Sequence, residues 1–305
     1  MKDPRRATLV FCLATVYLVW GSSYLATRIG VLHLPPLLFA GIRYTVAGIV
    51  LTAIASARGL DLAAVRREWR LVAVLGLAGI LVSNGLQVWA MQWVPSNLGA
   101  LLNASSAFWI VLFGLGGRRA HRPDALAIAG ILIGFAGTAV LVWPGGPAGP
   151  AAVPLLPQFA ILLACIAWSL ATIYLRNADT GLDVFALTGL QMLGGGVAMC
   201  LSGVVAGEAS RFHLDPVGLA AMAWLAVFSS CLAYTAYTWL ARNASPAQTG
   251  TYGYVNPVIA AGLGYLVLGE QMSARQIAGS AVIVLGVALV NWPARGTMRR
   301  PLRPT

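Results

Sequence analysis

The chain has 305 residues, 59% of them hydrophobic and only 10% charged, with a formal net charge of +11. A soluble chain carries about 25% charged residues, so this one has too few to cover a water-facing globule. That balance excludes an ordinary soluble enzyme, and the placement of the basic residues along the chain argues against a nucleic-acid-binding surface.

The apolar residues come in runs. Crossing a ~30 Å hydrocarbon layer takes roughly 20 mostly apolar residues. Ten runs qualify: about 8–30, 36–57, 70–93, 96–116, 124–143, 156–175, 184–206, 216–241, 246–269 and 275–292. The expected fold class is an all-α membrane protein with ten transmembrane helices and no separate soluble domain. The first run follows Lys2, Arg5 and Arg6 but is too long for the 7–15-residue core of a signal peptide, so it reads as a retained helix.

Between the runs, the basic residues alternate sides. Arg58, Arg66, Arg67 and Arg70 join runs two and three, and Arg118, Arg119 and Arg122 join four and five. Arg176 and Arg242 follow six and eight, and Arg295, Arg299, Arg300 and Arg303 follow ten. With the N-terminal three, sixteen of twenty basic residues fall on one side. The positive-inside rule makes that side cytoplasmic, with both termini there. The charge is then topology and contact with anionic lipid heads. The opposite connections hold Arg28, Arg211 and Arg275.

The runs also repeat. "IAGILIGFAGTAVLVW" (128–143) is echoed by "IAGSAVIVLGVALVNW" (277–292), with Gly130, Gly137 and Trp143 matching Gly279, Gly286 and Trp292. "PSNLGALLNASSAF" from Pro95 lies over "PAQTGTYGYVNPVI" from Pro246. Residues 1–147 and 148–305 therefore read as two five-helix repeats. Five is odd, so the second repeat enters the membrane inverted, a plan that places a substrate site at the midplane between the halves.

Three stretches, "VWGSSYLATRIG", "FAGIRYTVAG" and "YGYVNPVIAAGLGYLVLGEQMSARQIAGSAVIVLGVALV", resemble the drug/metabolite transporter superfamily, specifically EamA-type permeases. Pro257, Gly269, Glu270, Gly279 and Gly286 carry the most specific part. The first half departs from the family pattern, with Ser106 in place of the proline and "GGRR" in place of the acid. Length and layout resemble the YddG-like aromatic amino-acid exporters. The resemblance implies a metabolite carrier in a bacterial inner membrane, and export comes from the resemblance alone.

Polar and aromatic residues inside apolar runs are pointers to function or to helix contacts. Helical spacing puts Tyr17, Trp20 and Tyr24 on one face. Asn84, Gln87 and Met91 share another, as do Ser230, Tyr234 and Tyr237, and Thr249, Tyr252 and Asn256. Asn103 with Ser106, and Trp168 with Thr172, add two more. The expectation is one uncharged central cavity whose substrate-binding residues are Trp20, Tyr24, Asn84, Gln87, Asn103, Trp168, Tyr234, Tyr252 and Asn256. The alternative for each stripe is packing between helices or an interfacial aromatic belt, where Trp93, Trp143 and Trp292 are placed. Arg43 reads either as an attractor for a substrate carboxylate or as a side chain snorkelling to the outer surface. Pro257 is a kink and a gating point, or an ordinary membrane proline. Glu270 reads either as an interface residue that pairs with Arg275 or holds a loop, or as a gating residue and the acid that would serve proton coupling.

No acid is central to a run, and His33, His121 and His213 fall in loops. A proton relay within the membrane would need such a group. Facilitated movement by rocking of the two halves is therefore the simpler expectation, with a proton-coupled drug or metabolite efflux carrier as the alternative. A channel would need a polar ring, and a hydrolase would need motifs that the chain lacks. The expected partners are a small-molecule substrate, such as an amino acid, and membrane lipids, with no nucleic acid. No cofactor or metal is implied, since Cys12, Cys165, Cys200 and Cys231 lack ligand spacing. The "GxxxG" at 130–134 allows a homodimer, or close helix approach within a monomer.

Overall fold

The computed structural model describes residues 4–116, 125–142, 153–244 and 249–290. Among these, every regular element is helical. Seven helices are long and apolar enough to cross a bilayer: α1 (Arg6–His33), α2 (Pro36–Ala57), α3 (Trp69–Ala90), α4 (Ser96–Phe113), α6 (Leu155–Asn177), α7 (Val184–Val205) and α8 (Pro216–Asn243). Three further apolar helices are α5 (Ala125–Val142), α9 (Tyr252–Leu268) and α10 (Ala274–Val290). Pro246, Trp143 and Trp292 lie outside the described residues.

Three of these rods are not α-helical throughout. Val16–Trp20 in α1, Leu75–Asn84 in α3 and Leu225–Ala233 in α8 are π-helical. Helix α4 is interrupted at Ala104–Ser105, between Ser96–Asn103 and Ser106–Phe113.

Among the described residues, Asp61, Asp183 and Asp215 sit at helix starts, where free N–H groups need acceptors. Asp183 Oδ1 accepts from the Ala186 amide at 2.7 Å, and Asp215 Oδ1 from the Gly218 amide at 2.7 Å. The Gly218 amide and the nearby His33 ring hold the Asp215 carboxyl below the usual aspartate range. Two glutamates cap helices other than their own. Glu208 accepts from the amides of Leu37 and Leu38 at the start of α2. Glu270 accepts from the Ser96 amide (2.8 Å), the Ser96 hydroxyl (2.7 Å) and the Asn97 amide (3.1 Å) at the start of α4. Gly269, at φ +64°, turns the chain back to place it, and a Cβ at Gly264 would collide with its carboxylate.

Hydrogen bonds to a charged acceptor contribute about 1.5–3 kcal/mol each. Glu270→Ala is therefore expected to lower the thermal midpoint of the purified protein clearly, and Glu270→Gln by less. A melting curve superimposable on wild type for the Ala variant would remove the capping role.

The most extensive helix contacts are α2 on α7 and α5 on α10. Both seams are made by glycine. A Cβ at Gly196 would lie 2.6 Å from the Thr45 nitrogen, and one at Gly189 2.7 Å from that of Thr52. Across the same seam Gly41 faces Cys200 and Gly48 faces the Leu193 backbone. In the second seam Gly137 faces Ile283, and Gly286 faces Gly130 and Gly134. The Gly130–Gly134 stripe thus serves close approach within one chain. Around the seams, α1 packs on α8 and α9, α6 on α3 and α4, α2 on α8, and α7 on α3.

Candidate functional site

Seven helices converge on a cavity of about 80 Å³ near the middle of the bundle. Helix α1 contributes Trp20, Ser23, Tyr24 and Thr27, at the i, i+3, i+4 and i+7 spacing of one helical face. Helix α2 contributes Arg43 and Tyr44, and α3 contributes Ser83, Asn84 and Gln87. Asn103 comes from α4, Trp168 from α6, Ser229 and Tyr234 from α8, and Tyr252 from α9.

One wall is a cluster of rings. Trp20 is surrounded by Tyr237 at 4.9 Å, Tyr252 at 5.7 Å, Trp168 at 5.8 Å and Tyr234 at 6.1 Å between centroids. Trp168 in turn meets Tyr237 at 5.0 Å and Tyr234 at 5.4 Å. Most of these pairs are edge-to-face, the arrangement that ring quadrupoles prefer. The Trp20 indole N–H donates to the Ser229 carbonyl, and the Tyr237 hydroxyl is shared with Thr172.

Much of the remaining lining is polar. Arg43 Nη2 donates to the Tyr44 hydroxyl at 3.0 Å, which donates to Asn84 Oδ1 at 2.6 Å. Asn84 Nδ2 donates to the Gly79 carbonyl at 2.7 Å. Asn103 Nδ2 donates to Gln87 Oε1 at 2.6 Å, so helices α3 and α4 meet through paired amides.

Eight of the nine residues expected to bind substrate line this cavity: Trp20, Tyr24, Asn84, Gln87, Asn103, Trp168, Tyr234 and Tyr252. Asn256 does not. It is buried one turn beyond Tyr252, where α9 packs on α1 and on the first half of α4, and neither polar atom of its side chain has a hydrogen-bond partner. Pro257 is also outside the lining, within an α9 that continues past it to Leu268. Glu270 is in the α9–α10 turn, bound to the start of α4.

Two expectations need correction. Arg43 does not snorkel: its side chain is turned inward and the residue is only 4% exposed. The cavity is consequently not uncharged, because that guanidinium lines it. Tyr17 is not part of the lining; its hydroxyl pairs with Thr251, beside Tyr252.

Sequence reasoning missed Ser23, Thr27, Tyr44, Ser83 and Ser229. Extending the Trp20–Tyr24 stripe by one turn would have found Thr27. Ser229 was hidden by the π-helical segment, where the Tyr234 amide donates to the Ser229 carbonyl five residues back and the ordinary α-helical spacing no longer says which residue faces the cavity.

Fold and site together define a polytopic helical membrane protein with a central polar, aromatic-walled cavity. The chain belongs to the EamA-like transporter family, which matches it twice, over residues 7–143 and 155–292. It is 36% identical over 297 residues to the uncharacterized inner membrane transporter YedA of Escherichia coli K12, covering 95% of this chain and 93% of that protein. It is 25% identical over 297 residues to the uncharacterized transporter YvbV of Bacillus subtilis, covering 95% of this chain and 94% of that one. A crystal structure 20% identical in sequence superposes with a TM-score of 0.69 over 95% of this chain and 98% of the other, a likeness of fold.

Proposed function

We propose that the protein is a facilitative carrier that exports small metabolites, aromatic or hydrophobic amino acids foremost, by alternating access. The observation that carries this reading is the mid-bundle cavity, whose lining brings together aromatic rings and side-chain amides. Ring faces suit an apolar side chain, and amides fix the orientation of a polar head. Aromatic substrates also link the reading to the YddG-like branch of the family.

The same proposal places ten membrane-crossing helices in two inverted repeats, 1–147 and 148–305, in a bacterial inner membrane with both termini cytoplasmic. Three observations support it. The family matches the chain twice, at nearly equal lengths. The principal helix contacts keep their pattern when each number is shifted by five: α1 on α8 becomes α6 on α3, α1 on α9 becomes α6 on α4, and α2 on α8 becomes α7 on α3. YedA, which is similar over most of its length, is described as an inner membrane protein.

The cavity volume is well below the ~300–1,000 Å³ of ligand sites in general. Admitting an amino acid therefore requires the walls to part, which is what a carrier does and a fixed pore does not. Among the described residues lining the cavity there is no carboxylate to relay a proton, which favours uncoupled movement.

The test is counterflow into proteoliposomes holding purified protein, with a panel of labelled amino acids and with or without a pH gradient. Saturable exchange of aromatic or branched amino acids without the gradient is the expected result. Flux that needs the gradient would replace the facilitative mechanism with a coupled one. No exchange of any amino acid would end the substrate assignment.

A further inference from the structure

We propose that Arg43 is the docking point for a substrate carboxylate, so that the cavity selects compounds carrying a free monoanionic acid group and rejects those with only an amine. This rests on reading the cavity as the transport site.

The guanidinium is charged under all relevant conditions and offers five N–H donors in a fixed fork. One of them is bonded to the Tyr44 hydroxyl, and the carbon centre lies 4.3 Å from the Tyr44 ring. Nε is buried and has no partner. Tyr44 orients the group without neutralising it, because its own proton is committed to Asn84. Arg43 is the one charged residue among those described around the cavity.

A charge taken out of water is costly unless it is paired. Here the described lining holds no acid to pair it, and Arg43 lines the space where a solute would sit. A carboxylate meets a guanidinium fork through two parallel hydrogen bonds. A single positive charge matches a single negative one, so a monoanion is better served here than a phosphate dianion. The rings around Trp20 then receive the apolar remainder of the molecule. An amine with no carboxylate of its own would bring an uncompensated second positive charge into the same confined space, with no acid in the described lining to receive it.

The test uses full-length protein in lipid nanodiscs, read by ligand-induced change in intrinsic tryptophan fluorescence and by thermal midpoint. Five probes are compared at neutral pH: phenylalanine, 3-phenylpropionate, phenethylamine, phenylalaninamide and inorganic phosphate. Both carboxylates are expected to bind wild type at least about tenfold more tightly than the other three. Arg43→Gln is expected to weaken carboxylate binding about tenfold or more, and Arg43→Lys to restore part of it. The proposal is overturned if phenethylamine or phosphate binds wild type as well as the carboxylates do, if neither carboxylate binds, or if Arg43→Gln leaves their affinity unchanged. The wild-type comparison stands even if a variant fails to fold. Carboxylate binding that depends on Arg43 but produces no vesicle exchange would leave this site in place and remove the carrier reading. Exchange indifferent to the carboxylate would do the reverse.

Discussion

Gly196→Val is expected to yield no stable, monodisperse protein, whereas Gly194→Val, two positions along the same helix, leaves folding intact. A Cβ at Gly196 would lie 2.6 Å from the Thr45 nitrogen and 2.9 Å from the Tyr44 carbonyl carbon, while one at Gly194 meets nothing within 4 Å. Overpacking a close-packed interior costs about 1–3 kcal/mol, and more when the neighbour cannot move. The neighbour here is the backbone of α2, so relief requires the two helices to separate along their length. Net stabilities of about 5–15 kcal/mol leave little room for that. Size-exclusion profiles and thermal midpoints in one detergent decide the matter. Equal behaviour of the two variants would mean that the α2–α7 seam is not packed as described.

Trp20→Ala is expected to reduce vesicle exchange by at least about tenfold and to lower the thermal midpoint. The indole touches Trp168, Tyr234, Tyr237 and Tyr252, so its removal opens a hole among four rings. Truncating a buried Trp costs about 3–5 kcal/mol, to which each lost ring pair adds about 0.5–1.5 kcal/mol. Trp20→Phe keeps a ring in the cluster and is expected to retain most of the exchange, which separates loss of the wall from loss of the fold. Wild-type exchange rates in the Ala variant would show that the rings are packing and not part of the path.

Much of the fold was legible because hydropathy reports a helix's length directly when lipid is its solvent. The run at 36–57 is α2 to the residue, and 184–206 differs from Val184–Val205 by one position. Most of the site was legible for a related reason: a Trp, Tyr or Asn in an apolar run stands out, and helical spacing says which of them share a face. What failed did so through geometry that spacing does not encode. Ser229 was lost to a π-helical segment in α8. The inward turn of Arg43 depends on the side chain's direction about the helix, which its depth from Pro35 does not reveal. Asn256 lies at the right spacing from Tyr252, yet it is a turn too far along α9 to reach the cavity. Spacing leaves Glu270 open between a partner for Arg275, a loop residue and a coupling acid, whereas its contact with Ser96 lies 174 positions away in sequence, beyond any local pattern.

The glycine seams also bear on how such a molecule can move. Each joins one helix from residues 1–147 to one from 148–305, through approaches so close that an added Cβ at the seam glycines would meet the facing backbone. Rocking of the two sequence halves as rigid blocks would shear both seams at once. A carrier that kept the two columns, α2–α7 and α5–α10, intact would have to bend the remaining helices. Three of those, α1, α3 and α8, carry the wider π-helical turns beside the cavity, and α4 carries a break in its hydrogen-bond ladder.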